Sequence, residues 1–265
     1  MLNMVVCLKQ VPGTTEVEID SERGTLKREG VDARTNAYDL HALELAVALK
    51  NKHGGSITVL SMGPPQAQAV IREAYALGAD RGILLSDRKF AGADTLATAF
   101  TLAQAIRKLA TPHLVLTGMQ TSDGDTAQVG PALAEILGIP HVSYVRKCIE
   151  ASPGCSVMVE AEMSECTETL RVSFPCLLTC TKDVGRLRLP SYRLLVATRD
   201  KPIEVWSYED IKHDDGQEHF GLDGSPTRVE KVFPPSFEQQ RQVWEAPAQE
   251  LAERVLEKLE ELKVL

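Results

Sequence analysis

The sequence predicts a doubly wound α/β fold: a mostly parallel sheet with helices on both faces, an antiparallel edge hairpin, and a C-terminal arm ending in a helix. Three observations carry that prediction. Apolar, strand-like runs alternate with helical stretches of about 10 to 16 residues along the first part of the chain, the pattern of a parallel sheet covered on both sides. Residues 156–163 and 168–173 then alternate in period two across a polar turn, the mark of an antiparallel pair. Beyond Arg186, prolines punctuate a stretch with little periodicity, which closes on residues 248–262, where Leu251, Val255, Leu259 and Leu262 recur at helical spacing among Glu and Lys.

Each element has its own signal. Residues 3–8 are apolar and β-branched, and residues 39–50 set Leu40, Leu43, Ala46 and Val47 on one helical face. A strand at 56–62 precedes a helix at 66–77 that stops at Gly78. A strand at 82–86 leads to a long helix at 94–109 carrying Leu96, Phe100, Ala103 and Ile106. The strand at 113–117 runs into a glycine-bearing polar loop, 118–131, and then into a helix at 132–137 that closes on Gly138. A short strand at 141–145 follows, and 175–181 is apolar enough to return to the core. These elements place an α/β nucleotide- or flavin-binding domain over 1–185. Residues 186–265 cannot build a core of their own, so they are either disordered or laid across another surface, that of the chain's own domain or, as the preferred reading, that of a partner subunit on which the C-terminal arm packs.

Composition narrows the function. The net charge is −8 and no Lys/Arg run is long enough to make a basic track, which disfavours nucleic acid and anionic membrane as partners. No apolar run approaches the roughly 20 residues of a membrane helix. The opening residues read as a strand rather than a signal peptide. The six cysteines form no Cys-x-x-Cys pair and sit mostly in apolar runs. They are expected to be reduced and to bind no metal, which fits the cytoplasm.

Ligands of such sheets bind above the carboxyl ends of the strands, and four loops lie there. After the first strand come Cys7 and the residues to Pro12, with Thr35, Asn36, Ala37, Tyr38 and Asp39 opening the first helix. Asn36 and Asp39 either cap that helix or reach a ribose or adenine edge. The second loop starts at Met62, where Gly63, Pro64 and Pro65 make a turn. In the third, Gly92, Asp94 and Thr95 either signal a helix start or form a second anion or ribose site to which Arg88 adds charge-assisted bonds. The fourth, 118–131, presents backbone N–H groups and the positive end of a helix dipole, an arrangement phosphate commonly occupies. Thr126, Gln128 and the backbone at Gly124 and Gly130 suit phosphate or flavin; Asp123 and Asp125 would repel a phosphate and are expected to cap the helix or bond sugar hydroxyls. The chain has no G-x-G-x-x-G after the first strand, no Walker motif, no G-x-S-x-G and no Cys/His nucleophile pair. A nucleotide binder without nucleophile or base points to chemistry carried by the cofactor.

Seven stretches in order resemble the beta subunits of electron-transfer flavoproteins over nearly the whole chain: 6–12, 35–39 with 42–44, 62–66, 76–82, 118–131, 221–227, and the arm. The resemblance implies a heterodimer with an FAD-bearing alpha subunit. It also implies a beta-subunit site holding FAD in the electron-bifurcating branch, or AMP in the housekeeping branch that serves acyl-CoA dehydrogenases. That site maps onto Cys7, Asn36, Ala37, Tyr38, Asp39, Met62, Gly118, Gln120, Thr121, Asp123, Gly124, Asp125, Thr126, Ala127, Gln128, Val129, Gly130 and Pro131. Residues 24–31, 85–95 and 123–131 resemble the bifurcating branch, in which NADH approaches the stretch holding Arg88, Phe90, Gly92, Asp94 and Thr95. The resemblance then implies hydride from NADH, with electrons divided between the alpha-subunit FAD and ferredoxin or flavodoxin. The family's docking loop follows Leu-Pro, here Leu189 and Pro190 with Tyr192 and Arg193, and is rich in alanine and lysine. This chain has fewer lysines and more bulk there, which implies a dedicated flavin-dependent dehydrogenase or reductase as the partner.

Overall fold

The computed structural model describes residues 1–13, 19–20, 25–26, 33–212, 217–229 and 243–264. In chain order the strands and helices are β1 (Leu2–Cys7), β2 (Gln10–Pro12), β3 (Ile19–Asp20), β4 (Thr25–Leu26), β5 (Ala33–Thr35), α1 (Ala37–His53), β6 (Gly55–Met62) and α2 (Gln68–Leu77). They continue with β7 (Arg81–Leu85), α3 (Thr95–Lys108), β8 (Leu114–Gly118), α4 (Val129–Leu137), β9 (His141–Ser152), β10 (Ser156–Glu162), β11 (Thr167–Ser173) and β12 (Cys176–Cys180). The last are α5 (Tyr192–Ala197), β13 (Glu204–Trp206), α6 (Tyr208–Ile211) and α7 (Ala248–Glu261).

One nine-stranded sheet, ordered β11-β10-β9-β12-β8-β1-β6-β7-β13, organises the molecule. Along that order every pairing from β9 through β12, β8, β1, β6 and β7 to β13 is parallel, and at one edge β10 pairs antiparallel with both β9 and β11. The largely apolar centre follows from burial on both faces: β8 and β12 are buried almost throughout. On one face Leu43, Ala46 and Val47 of α1 join Ile71 and Tyr75 of α2 over Val6, Val59 and Leu116. On the other, Leu102 and Ile106 of α3 and Leu133 of α4 cover Val5, Leu60 and Val115. The connections run outward from β1 to β6 and β7, then cross to β8 on its other side. The strand order therefore reverses between β1 and β8, the place where doubly wound sheets open a crevice.

The hairpin at the edge and the helix near the C-terminus lie where the periodicity put them, though β9 runs 12 residues where a short strand was expected. The larger difference concerns the boundary at 185/186. The chain divides into two units, Met1–Lys231 and Val232–Leu265. β13 extends the sheet by pairing with β7, and Trp206, Tyr208, Ile211 and Phe220 are buried with α3. Irregular sequence here hides a short edge strand and aromatic anchors that use a core already built by the first half. Residues 24–31 lie outside the described residues apart from the Thr25–Leu26 strand.

No helix among the described residues is long and apolar enough to cross a membrane.

Candidate functional site

The loops after β1 and β8 meet at the reversal point, and a buried carboxylate joins them. Asp39 lies in the first turn of α1, where its two oxygens accept the N–H of Lys9 at 2.7 Å and that of Gly118 at 3.0 Å. Burial drives its pKa up to about 7, against the pull of those N–H donors, the Asn36 side chain and the Lys9 charge. Asn36, fully buried, ties in the next turn: Nδ2 donates to the Gln120 carbonyl at 2.8 Å and Oδ1 accepts from the Ser122 N–H at 3.3 Å. Neither side chain caps α1. Both fasten the 118–131 loop to it, a third use beside the cap and the sugar contact expected from sequence.

Lys9 joins the same two loops a second time. Its ammonium bridges both oxygens of Asp123 at 2.7 and 2.8 Å. Partial burial works to raise the Asp123 pKa, but the Lys9 hydrogen bond and charge prevail and hold it below the usual carboxylate range. Gln120 Nε2 donates to Asp125 at 3.0 Å, and the Asp125 N–H donates to the Thr121 carbonyl at 2.9 Å. The N-cap of α4 is Gln128, with no side-chain cap bond. Asp123 and Asp125 thus shape the loop instead of capping the helix. Asp125 and Ala127 hold φ of 47° and 53°, a left-handed conformation costly for residues with a Cβ and retained where a binding surface needs it.

Beneath that loop, two glycines are required by packing. A Cβ on Gly118 would lie 2.5 Å from an Asp39 oxygen and 2.7 Å from Tyr38 Cβ. On Gly130 it would lie 2.5 Å from Thr179 Cγ2 and 3.0 Å from Thr117 Oγ1, a buried hydroxyl without a hydrogen-bond partner among the described residues. The start of α4 is thereby pressed onto β8 and β12 with its first N–H groups lacking intrahelical acceptors. Gly124 differs: a Cβ there would meet only Thr121 Oγ1, at an ordinary 3.6 Å. The donor set of exposed N–H groups, hydroxyls and a helix N-terminus fits the phosphate-bearing part of a nucleotide cofactor.

The remaining predicted positions fall into distinct environments. Cys7 is buried at the end of β1, and burial, reinforced by the Asp39 charge, pushes its thiol up to about 12, so it is inert at neutral pH. Ala37 is exposed, while Tyr38 and Met62 are half-buried. Thr121, Ala127, Val129 and Pro131 are half-buried and Thr126 is exposed.

In the 86–95 loop, Phe90 is buried in an aromatic group with Phe100, Tyr208 and Phe220. Asp94 is a true N-cap of α3: one oxygen accepts from the Leu96 and Ala97 N–H groups, the other from Thr227 N–H and Oγ1. Gly92, at φ 75°, faces Leu222, and its carbonyl accepts from Ser225 Oγ. Arg88 stays exposed. Thr95 Oγ1 donates to Gln128 Oε1 at 3.1 Å, so the 86–95 and 118–131 loops touch. Sequence reasoning missed the Lys9 bridge and the Ser225–Thr227 clasp. Lys9 carried a signal as the first charge after an apolar strand, whereas the clasp depends on contacts over more than a hundred residues and had none.

The stretch expected from sequence to dock a partner starts from an anchored point, Arg188 paired with both oxygens of Glu44 at 2.7 Å. Beyond it Leu189 is 89% and Tyr192 82% exposed, and Pro190 and Arg193 are exposed as well.

Comparison with known proteins agrees with this architecture. A family model described as electron transfer flavoprotein domain matches residues 23–211. The chain is 45% identical to the electron transfer flavoprotein subunit beta of Clostridium acetobutylicum, covering 98% of each. It is 41% identical to the caffeyl-CoA reductase-Etf complex subunit CarD of Acetobacterium woodii over the full length of both. To protein FixA of Azorhizobium caulinodans it is 42% identical, over 89% of this chain and 85% of that one. A reversal-point crevice built for a nucleotide, with these relatives along its whole length, means that the chain belongs to the electron transfer flavoprotein family, as a beta subunit.

Proposed function

We propose that this beta subunit pairs with an FAD-bearing alpha subunit, holds a second FAD in the β1/β8 crevice, and takes reducing equivalents from NADH for a reductase-type partner and for ferredoxin or flavodoxin. The observation that carries this reading is the contact between two loops: 118–131, with its left-handed Asp125 and Ala127, and 86–95, joined through Thr95 and Gln128. A site for one nucleotide thereby adjoins a surface for another. The likeness to a subunit whose name places it in a caffeyl-CoA reductase complex supports a reductase partner.

In this reading the chain's own groups bind and orient. The first N–H groups of α4, with Thr126 and Gln128, hold the anionic part of the cofactor. Asp39 aims the backbone of Lys9 and Gly118, and the Lys9–Asp123 bridge ties the loops after β1 and β8 together. Arg88, exposed in the loop that precedes α3, supplies charge for the phosphates of the incoming pyridine nucleotide, while Phe90, Gly92 and Asp94 hold that loop in shape. When bound, FAD supplies hydride acceptance and the passage of electrons one at a time. Leu189, Pro190, Tyr192 and Arg193 meet the electron-exchanging partner, and the arm with α7 packs on the alpha subunit.

Anaerobic addition of NADH to the purified heterodimer tests this function. Bleaching of flavin absorbance by NADH alone is expected. Flavin that stays oxidised with NADH but is reduced through an acyl-CoA dehydrogenase would support the AMP-holding kind instead.

A further inference from the structure

The stretch proposed for docking is fastened at both ends and bare between them. Its near end is tied to α1. His41 Nδ1 donates to the Gly185 carbonyl at 2.9 Å, and Arg188 gives Glu44 three hydrogen bonds, from its backbone N–H at 3.3 Å and from Nε and Nη2 at 2.7 Å each. A Cβ on Gly185 would stand 3.4 Å from Glu44 Cγ, so the backbone lies against the stem of that side chain. The far end is tied to α2 and the turn after it. Arg72 Nη1 donates to the Arg199 carbonyl at 3.2 Å and to that of Lys201, Tyr75 Oη to that of Pro202 at 2.7 Å, and Lys201 Nζ to that of Ala79 at 3.4 Å. Midway, the Ser191 N–H reaches the Ala76 carbonyl at 3.4 Å. Leu189, Tyr192, Leu195 and Val196 meanwhile present apolar surface to solvent.

Packing alone does not fix the near end. A hollow of about 50 Å³ separates Leu187 from Leu43, Val47 and Leu77. Close packing is what normally immobilises a segment, and where it is incomplete the polar ties set its place. The strongest tie is the Arg188 fork on Glu44, which fixes direction as well as distance. Its two members are unequally placed: the Glu44 side chain is 13% exposed and that of Arg188 36%. A docked protein can touch Arg188 but hardly Glu44, so any influence of Glu44 on docking passes through Arg188. Glu44 also lies five residues beyond Asp39 on α1, about 8 Å along the axis. One helix therefore holds the crevice loops at Asp39 and the docking stretch at Glu44.

We propose that Glu44 is a positioning residue for the electron-exchanging partner: by gripping Arg188 it presents the exposed side chains of 189–196 in one arrangement relative to the crevice. The inference rests on the docking reading above and adds the residue that sets the docking stretch in place. Without the grip, the stretch must be ordered as the partner binds, which weakens the complex and leaves the cofactor site as it was.

The test compares wild type, Glu44→Ala, Glu44→Gln and Tyr192→Ala, each as the heterodimer with its alpha subunit. Amide exchange needs no partner: Glu44→Ala should speed it about tenfold over 186–197 and leave 36–39 and 118–131 at wild-type rates. Titration with the flavin-dependent enzyme that copurifies with the native heterodimer should show Kd raised about tenfold in Glu44→Ala. The rise should be smaller in Glu44→Gln, which keeps a carbonyl oxygen for Arg188. Flavin content should stay the same, and the unfolding midpoint should hardly move, since a partly exposed ion pair adds little stability. Wild-type exchange over 186–197 in Glu44→Ala overturns the inference, as does a wild-type Kd. Loss of flavin or of folded heterodimer in that variant would mark a role in the core and overturn it too. Tyr192→Ala separates the two levels. If it leaves Kd unchanged, docking takes place elsewhere and the role of Glu44 falls with it; if it weakens Kd and Glu44→Ala does not, only the role of Glu44 falls.

Discussion

Asp39 shows how much can hang on one side chain. It is the only acid in the first turn of α1, and its two oxygens hold the loops that follow β1 and β8. Its pKa in the fold, about 7, lies above the ordinary 3.8, so the native state holds the proton more tightly than the unfolded chain. The stability that proton confers is complete below 3.8 and is lost as pH rises through 7. Asp39→Asn removes the titration and sets an amide NH₂ against a backbone donor. Urea unfolding of both proteins should show the wild type's advantage over the variant shrinking as pH rises between about 4 and 7, by up to about 1.4 kcal/mol per unit. A constant gap would show that Asp39 is ionised throughout. The glycines separate fold from site. Gly130→Ala drives a methyl into Thr179 and should cost about 1–3 kcal/mol in denaturant unfolding. Gly124→Val has room within the protein and should leave unfolding within about 0.5 kcal/mol of wild type. It should nevertheless empty the beta site while the alpha subunit keeps its FAD, as flavin counting would show; full occupancy would mean that the cofactor does not pass over Gly124.

At the scale of elements, most of the sheet was legible because burial on both faces writes apolar runs that need no partner to be recognised. The 118–131 junction was legible for a related reason: a strand, a polar glycine loop and a glycine-stopped helix are local signals. The segment from Arg186 to Thr227 was not. β13 has three residues, and what holds it is its pairing with β7 together with the stacking of Arg81 and Lys108 on Trp206. The clasp of Ser225 and Thr227 on Asp94 spans more than 130 residues in sequence, so Asp94 read as a helix start or a ribose contact with nothing local to favour a third partner. Asp94→Ala should remove both the α3 cap and the clasp. A loss of about 1–2 kcal/mol is expected, with faster amide exchange over residues 217–229 than elsewhere in the sheet. Exchange in that segment equal to wild type would mean that the aromatic anchors at Tyr208 and Phe220 hold it without the clasp.

On the reading proposed above, the exposed surfaces of the molecule divide by task. The crevice lies at the strand reversal, the stretch around Tyr192 proposed for docking is exposed and apolar, and in the second unit Val255 and Leu256 of α7 and its C-cap Leu262 are exposed. Exposed apolar side chains of this kind are what the proposed docking would cover. Tyr192→Ala should lower kcat/KM for electron exchange with the partner roughly tenfold while flavin content stays the same. Equal rates would move the docking site elsewhere. A choice between nucleotides for the crevice came only through resemblance, because backbone N–H groups grip any phosphate alike. The most direct test of the account is therefore to release and count the nucleotides of the purified heterodimer. Two FAD and no AMP per heterodimer is the predicted result; one FAD with one AMP would contradict it.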